Sequence, residues 1–347
     1  KYQDERRTEI REESVDLDIE DLIADEQMVI TLTHEGYIKR MPLDTYRSQR
    51  RGGKGIIGLN TREGDFVKDI FITSTHHHFL FFTNYGRVYR LKVFEIPEGS
   101  RQARGTAVVN LLELAEGEVV NTVIPIKEFD DERYLIMVTR NGLIKKTPLI
   151  EYDSTYSGLI GITLREDDQL IDVKHTDGKQ DIIIVTHKGK AIKFSEKDVR
   201  KTSRASIGVI GINLDPDDYV IGLGVSGEGE DLLIITEKGY GKRTPLKEYR
   251  SQRRGGKGLI AAKITERNGN IAGIKVVNDE DELIIISSEG ILIRTEVNQI
   301  SCISRNTQGV KVMTLEEGDQ VVALGRIVPE DEEEDEIERI EEIDGED

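Results

Sequence analysis

Six times along the chain a Thr or Ser stands three residues before a glycine, at Thr33/Gly36, Thr83/Gly86, Thr139/Gly142, Thr186/Gly189, Thr236/Gly239 and Ser287/Gly290. The glycines are 50, 56, 47, 50 and 51 residues apart, and a period of that length must be read before any local pattern. An apolar run precedes each pair, as in M-V-I-T-L-T, F-L-F-F-T or L-L-I-I-T, and a second run follows it, as in Y-I-K-R, R-V-Y-R or Y-G-K-R. Two runs joined by a short loop ending in Gly predict a β-hairpin with a bulge, where glycine supplies the positive φ that strains other residues.

A second set of glycines, Gly55, Gly105, Gly158, Gly208, Gly258 and Gly309, keeps the same rhythm. Each lies 19 residues after its hairpin glycine, except in unit three, where the interval is 16. Each opens another apolar run, such as G-I-I-G-L or G-V-I-G-I. An acidic turn such as Glu63-Gly64-Asp65 or Glu317-Gly318-Asp319 usually follows, and a final run such as Q-L-I-D-V closes the unit. The fold class is therefore all-β, a six-bladed propeller-like structure with four strands per blade in a closed or slightly spiral ring. An open β solenoid is the alternative. Closure is favoured because neither end of the array shows a capping repeat and because it removes exposed sheet edges. The chain has no Trp, which sets it apart from the common Trp-Asp propellers.

The formal net charge is −18, but it is unevenly placed. Residues 1–27 carry −7 and residues 330–347 carry −12, which leaves +1 for residues 28–329. The expected domains follow: a linker at 1–27 that looks cut from a longer chain, with one short helix around Ile19 to Ala24; the bladed ring at 28–329; and an acidic tail at 330–347. That tail repels itself, buries little and is expected to be disordered. No apolar run reaches the ~20 residues of a membrane span. With the single cysteine Cys302 no internal disulfide is possible, in keeping with a reducing cytoplasm.

Against this background two cationic islands stand out. Tyr46 to Gly55 reads Y-R-S-Q-R-R-G-G-K-G, without an acid, and the same ten residues return at Tyr249 to Gly258. Equivalent loops hold Arg101 and Arg104 in unit two, Arg200, Lys201 and Arg204 in unit four, and Arg305 in unit six, whereas unit three has S-T-Y-S. A ring places such loops at one radius, so the cations form an interrupted belt suited to the phosphates of a bent duplex, which Lys and Arg neutralise without reading sequence. A flexible solvated loop is the plainer alternative, and two identical copies count against it. A cation also stands four residues after every hairpin glycine, at Arg40, Arg90, Lys146, Lys193, Arg243 and Arg294. Either these simply occupy the solvent face of an alternating strand, or they share an electrostatic role; six cations out of six favour the second.

Other chemistries find no support. G-G-K-G lacks the G-x-x-x-x-G-K-[ST] spacing, since Gly follows Lys54 and Lys257 where a hydroxyl would bind magnesium. Adjacent residues His76, His77 and His78 alternate faces on a strand and have no Cys or carboxylate set beside them. No acid–base pair stands out, and Cys302 has no placed His.

The run Q-R-R-G-G-K-G at Gln49–Gly55 resembles the GyrA box, the signature of the carboxy-terminal domain of DNA gyrase A proteins. The six units and the pattern T-x-x-G-x-x-K-[KR] resemble the same family over about residues 28–329, and D-E-R-R-T-E-I at Asp4–Ile10 resembles the end of the catalytic half of such proteins. The resemblance implies a β-pinwheel whose blades exchange strands. It also implies a perimeter that wraps duplex DNA without base readout and presents the positive crossover that gyrase converts into negative supercoils. By this resemblance Gln49, Arg50, Arg51, Gly52, Gly53, Lys54 and Gly55 bind the end of the wrap. The expected DNA contacts also include Arg47, Lys39, Arg40, Arg101, Arg104, Lys201, Arg204, Lys242, Arg243, Arg250, Arg253, Arg254, Lys257, Arg294 and Arg305. The family's catalytic tyrosine region is absent, so the chain is expected not to cleave DNA. It is expected to need no cofactor, since the holoenzyme uses the ATP and magnesium. Its expected partners are double-stranded DNA, the rest of the gyrase A protein and the gyrase B protein, in the cytoplasm at the nucleoid, with no membrane. Two departures are a second complete box at Gln252–Gly258 and the cation-free loop of unit three. The alternatives are the paralogous topoisomerase IV domain, whose box is degraded, and a protein-interaction propeller with a basic rim.

Overall fold

The T-x-x-G pattern closes one turn six times over. Thr33 Oγ1 accepts the Tyr37 N–H at 3.0 Å while the Gly36 N–H donates to the Thr33 carbonyl at 3.0 Å. Gly36 has φ +81°, in the left-handed region that glycine enters without strain. The same hydroxyl bond recurs at Thr83, Thr139, Thr186, Thr236 and Ser287. The acidic turns hold the hairpin tips: Asp65, Asp168, Asp218 and Asp319 accept the N–H groups of Glu35, Asn141, Lys188 and Glu289.

The computed structural model describes residues 22–43, 65, 67–100, 102–154 and 156–327. The first Q-R-R-G-G-K-G run, Arg101, the acidic tail at 330–347 and most of the linker, with the first half of its expected helix, lie outside these residues. The end of the linker is tied to blade one, where the Ala24 carbonyl accepts from Thr75 Oγ1 at 2.7 Å.

Unit one contributes β1 (Gln27–Thr33), β2 (Tyr37–Pro42) and β3 (Val67–Ser74). Unit two contributes β4 (His78–Thr83), β5 (Arg87–Lys92), β6 (Thr106–Ala107) and β7 (Val120–Ile126). Unit three adds β8 (Tyr134–Thr139), β9 (Leu143–Pro148), β10 (Leu159–Ile160) and β11 (Leu170–Thr176). Unit four adds β12 (Asp181–Thr186), β13 (Lys190–Ser195), β14 (Val209–Ile210) and β15 (Val220–Val225). Unit five adds β16 (Asp231–Thr236), β17 (Tyr240–Pro245), β18 (Leu259–Ile260) and β19 (Ile271–Val277). Unit six adds β20 (Glu282–Ser287), β21 (Leu292–Glu296), β22 (Val310–Lys311) and β23 (Val321–Ile327).

These strands do not form one sheet per unit. The two-residue strand of each of units two to six crosses back and pairs with the hairpin of the unit before it, giving the orders β3-β1-β2-β6, β7-β4-β5-β10, β11-β8-β9-β14, β15-β12-β13-β18 and β19-β16-β17-β22. The pairings between these strands are antiparallel, isolated parallel bridges join the hairpins to the crossing segments, and the sixth sheet comprises β23-β20-β21 among the described residues. The long closing strands line the inside of the ring, each beside the next from β7 to β23, and β23 lies beside β3. The borrowed short strands lie outermost. Six blades thus stand around a ring, as expected, with exchange in place of self-contained units.

Alternation on the central strands explains the packing, since successive side chains face opposite ways. Phe79 and Phe81 of β4 join Ile30 and Leu32 in a core against blade one, while Leu80 and Phe82 join Leu135 and Met137 in a core against blade three. Further cores join each later pair of neighbouring blades. Both faces of a central strand are therefore buried, which is why these runs read as continuously apolar.

Candidate nucleic-acid interface

The second Q-R-R-G-G-K-G run lies on the segment that leaves blade five after β17 and crosses to blade four to place β18 against β13. A short 3-10 turn, Leu246–Glu248, starts the crossing, and Tyr249 is buried as its anchor. Ser251 bridges to Lys193, and the Gln252 N–H donates to the Lys193 carbonyl at 2.8 Å. The Gly255 N–H donates to the Gly211 carbonyl at 2.6 Å, and the Gly256 carbonyl accepts from the Asn213 N–H at 2.9 Å. Arg254 fastens the loop from its side chain, with Nε on the Asp198 carbonyl at 3.0 Å and Nη1 on the Ile210 carbonyl at 2.9 Å. The loop is thus fixed to residues of unit four along its length.

Gly258 shows why the run needs glycine. Its φ is +73°, and a Cβ built there meets the Ala191 carbonyl oxygen at 2.6 Å. Gly258→Ala is expected to destabilise the protein by about 1–3 kcal/mol, because left-handed strain and a backbone clash add together. Urea unfolding measures this, and wild-type stability would reject the close-approach account.

With the backbone fixed, neighbouring cations point differently. Arg250, Arg253 and Lys257 are exposed, while Arg254 between them is half-buried. In unit four Arg200 and Lys201 are exposed and Arg204 is half-buried. In unit six Arg305 repeats the behaviour of Arg254, donating from Nη1 to the Ile260 carbonyl at 3.0 Å. In unit two Arg104 lies over the Tyr37 ring at 3.8 Å with Glu35 at 3.9 Å. Unit three offers no cation on this segment.

The hairpin cations do share a role, and it is to hold the crossing segment of the next unit. Nε of Arg40 donates to the Ile96 carbonyl at 2.7 Å and Nε of Arg243 to the Ile300 carbonyl at 2.8 Å. Nζ of Lys146 reaches the Glu196 carbonyl at 2.9 Å, Nζ of Lys193 the Leu246 carbonyl at 3.0 Å, and Nη1 of Arg90 the Ser154 carbonyl at 3.2 Å. Arg294, on the sixth blade, is exposed and pairs with Glu282.

A second tier of lysines lies deeper. Lys39 Nζ donates to the carbonyls of Ser100 and Ala103, Lys145 to those of Gly161 and Arg204, and Lys242 to those of Ser304 and Arg305. All three are buried. Burial pulls Lys145 down to about 7 and Lys242 to about 8, and lowers Lys39 as well. Of the expected DNA contacts, then, Lys39, Arg40, Lys242 and Arg243 turn their charge towards loops that they hold. Arg104, Arg204, Arg254 and Arg305 are half-buried, and Lys201, Arg250, Arg253, Lys257 and Arg294 face solvent. Arg47, Gln49–Gly55 and Arg101 lie outside the described residues. The comparison of loops also marks Arg200, which matches Arg250 in place and exposure. Lys145 is the residue that sequence reasoning misses; its signal is the K-R or K-K pair shared with Lys39 and Lys242. Among the described residues no group of His, Cys, Asp and Glu is placed to hold a metal ion.

A ring of blades that borrow their outermost strands, with arginine- and glycine-rich crossing loops, defines a β-pinwheel, the class of the accessory domains of type II topoisomerases. Six stretches, residues 27–74, 77–127, 133–177, 180–226, 230–278 and 281–327, match the family model described as "DNA gyrase C-terminal domain, beta-propeller". The chain belongs to that family. It is 52% identical to the DNA gyrase A protein of Clostridium acetobutylicum over 96% of the chain and 40% of that protein. It is 53% identical to that of Halalkalibacterium halodurans over 99% of the chain and 41% of that protein. The chain thus spans about two fifths of the length of these relatives. Among solved structures, the C-terminal domain of DNA topoisomerase IV matches with TM-score 0.79 and 28% identity, covering 92% of this chain and 99% of that one. The DNA gyrase A C-terminal domain matches with TM-score 0.69 and 26% identity, covering 87% of this chain and 100% of that one.

Proposed function

We propose that this domain binds duplex DNA around its perimeter and bends it into the positive crossover that a gyrase holoenzyme, with the rest of the gyrase A protein and with the gyrase B protein, converts into negative supercoils in the cytoplasm. The observation that carries this reading is the set of exposed cations Arg200, Lys201, Arg250, Arg253 and Lys257 on crossing loops whose backbones are fixed to the neighbouring blade. Fixed cations neutralise phosphates and release counterions without ordering a floppy loop at the moment of binding. Bending a 20–30 bp site costs on the order of 1–6 kcal/mol, so a long wrap needs contacts repeated at intervals, which successive blades supply. The first box, matching the second residue for residue, is read as a further grip of the same kind. No helix among the described residues is long and apolar enough to cross a membrane.

Ligation of nicked circular DNA in the presence of the chain tests the reading. A protein-dependent change in linking number is expected. An unchanged linking number with retained binding of acidic proteins would favour the basic-rim scaffold instead.

A further inference from the structure

The outermost strands carry a feature that cation–phosphate contact does not use. Ile160 on β10, Ile210 on β14 and Ile260 on β18 are exposed by 52%, 52% and 48%. Each stands two residues after the crossing-loop glycine of its unit, so the three recur on successive blades at one place on the perimeter. Their strand neighbours Leu159, Val209 and Leu259 are more covered, as alternation requires. A solvent-facing edge position ordinarily carries a charge, which blunts the edge against association, and unit six has Lys311 there. Three consecutive isoleucines depart from that rule.

Two of the three are clamped by an arginine of a neighbouring loop, and two have a cation opposite them on the paired strand. The Ile210 carbonyl is held by Arg254 and the Ile260 carbonyl by Arg305. Across the strand pair, Ile160 faces Arg87 and Ile260 faces Lys190. With exposed Arg200 and Lys201 on the crossing loop that leads to Ile210, and Arg250, Arg253 and Lys257 on the one that leads to Ile260, the row is complementary to a ligand with a polyanionic surface and an apolar floor between its charges. Duplex DNA has that form, because the sugar edges and base steps of the minor groove lie between two phosphate rows, and architectural proteins seat isoleucine and similar side chains there to concentrate bending.

We infer that Ile160, Ile210 and Ile260 form an apolar row that presses into successive minor-groove segments of the wrapped duplex and localises its bend. This rests on the DNA-binding reading above. The row positions the duplex; it neutralises no phosphate.

The test uses the chain carrying Ile160→Ser, Ile210→Ser and Ile260→Ser together, beside a triple leucine variant. Because the residues are exposed, thermal unfolding of both is expected to match wild type. The salt dependence of binding to a short linear duplex is expected to be unchanged in both, since it counts phosphate contacts. The linking-number change on nicked circles is expected to fall by about half or more in the serine variant and to persist in the leucine variant, as kinking by an apolar wedge requires. A serine variant that shifts linking number like wild type overturns the inference, including the case where only its sedimentation changes, which would make the row a protein interface. So does a serine variant that loses salt-dependent binding altogether. Failure of the wild-type chain to bind DNA would instead remove the DNA-binding reading itself.

Discussion

Replacing Arg250, Arg253 and Lys257 together by alanine is expected to lower the slope of log binding constant against log salt by about 2.7, at about 0.9 per phosphate contact. Between 50 and 200 mM salt this corresponds to about a 40-fold smaller salt-driven loss of affinity. The three side chains are exposed and make no bond that shapes the loop, so stability is expected to stay within about 0.5 kcal/mol of wild type. Arg254→Ala gives the contrast. Its guanidinium holds the Asp198 and Ile210 carbonyls, so its loss is expected to loosen the loop and lower thermal stability. Titration of a short duplex at several salt concentrations reads the slope. A triple variant with the wild-type slope would take the second box out of the interface.

Lys242→Met is expected to destabilise the protein by about 2–4 kcal/mol, because it removes the one buried ammonium that three acceptors of a crossing loop share. Lys242 Nζ donates to the Ser304 carbonyl at 3.0 Å, to Thr307 Oγ1 at 3.3 Å and to the Arg305 carbonyl, and all belong to the crossing loop of unit six. Burial sets a pH signature as well. Lys242 titrates at about 8 in the folded chain, below the ordinary 10.5, so between these values the unfolded chain binds more protons. Stability from this group is therefore present above pH 10.5 and lost as pH falls through about 8, with a limit of about 1.4 kcal/mol per pH unit. Lys145, at about 7, extends the same trend lower. Urea unfolding from pH 7 to 10.5 is expected to show the rise in wild type and a flatter curve in Lys242→Met. Equal curves would mean that the lysine is not what the loop rests on.

The period, the hairpins and their glycines are legible in the sequence because each is local: a hydroxyl, a turn and a positive φ lie within five residues. Strand exchange is legible only through the family resemblance. Leu259–Ile260 is too short to show alternation, and its partner Lys190–Ala191 lies in another unit. The cations show the same limit. Arg253 and Arg254 are adjacent and identical in type, yet one faces solvent and the other clamps a carbonyl of β14, a strand of unit four. Composition marks both as basic, and only the fold of the crossing loop separates them. Likewise the repeat shows that the hairpin cations share a role, but the backbone carbonyls that receive most of them come from the next unit, some fifty residues on.

Strand exchange also determines how the ring carries a mechanical load. A pull on the perimeter at β18 is resisted by hydrogen bonds to β13 in blade four and by the covalent chain of unit five, so no blade bears it alone. Excising one unit would strip its predecessor of an outer strand as well. The described blades are linked like a clasped bracelet, in which stiffness comes from each link being fastened into the one before it.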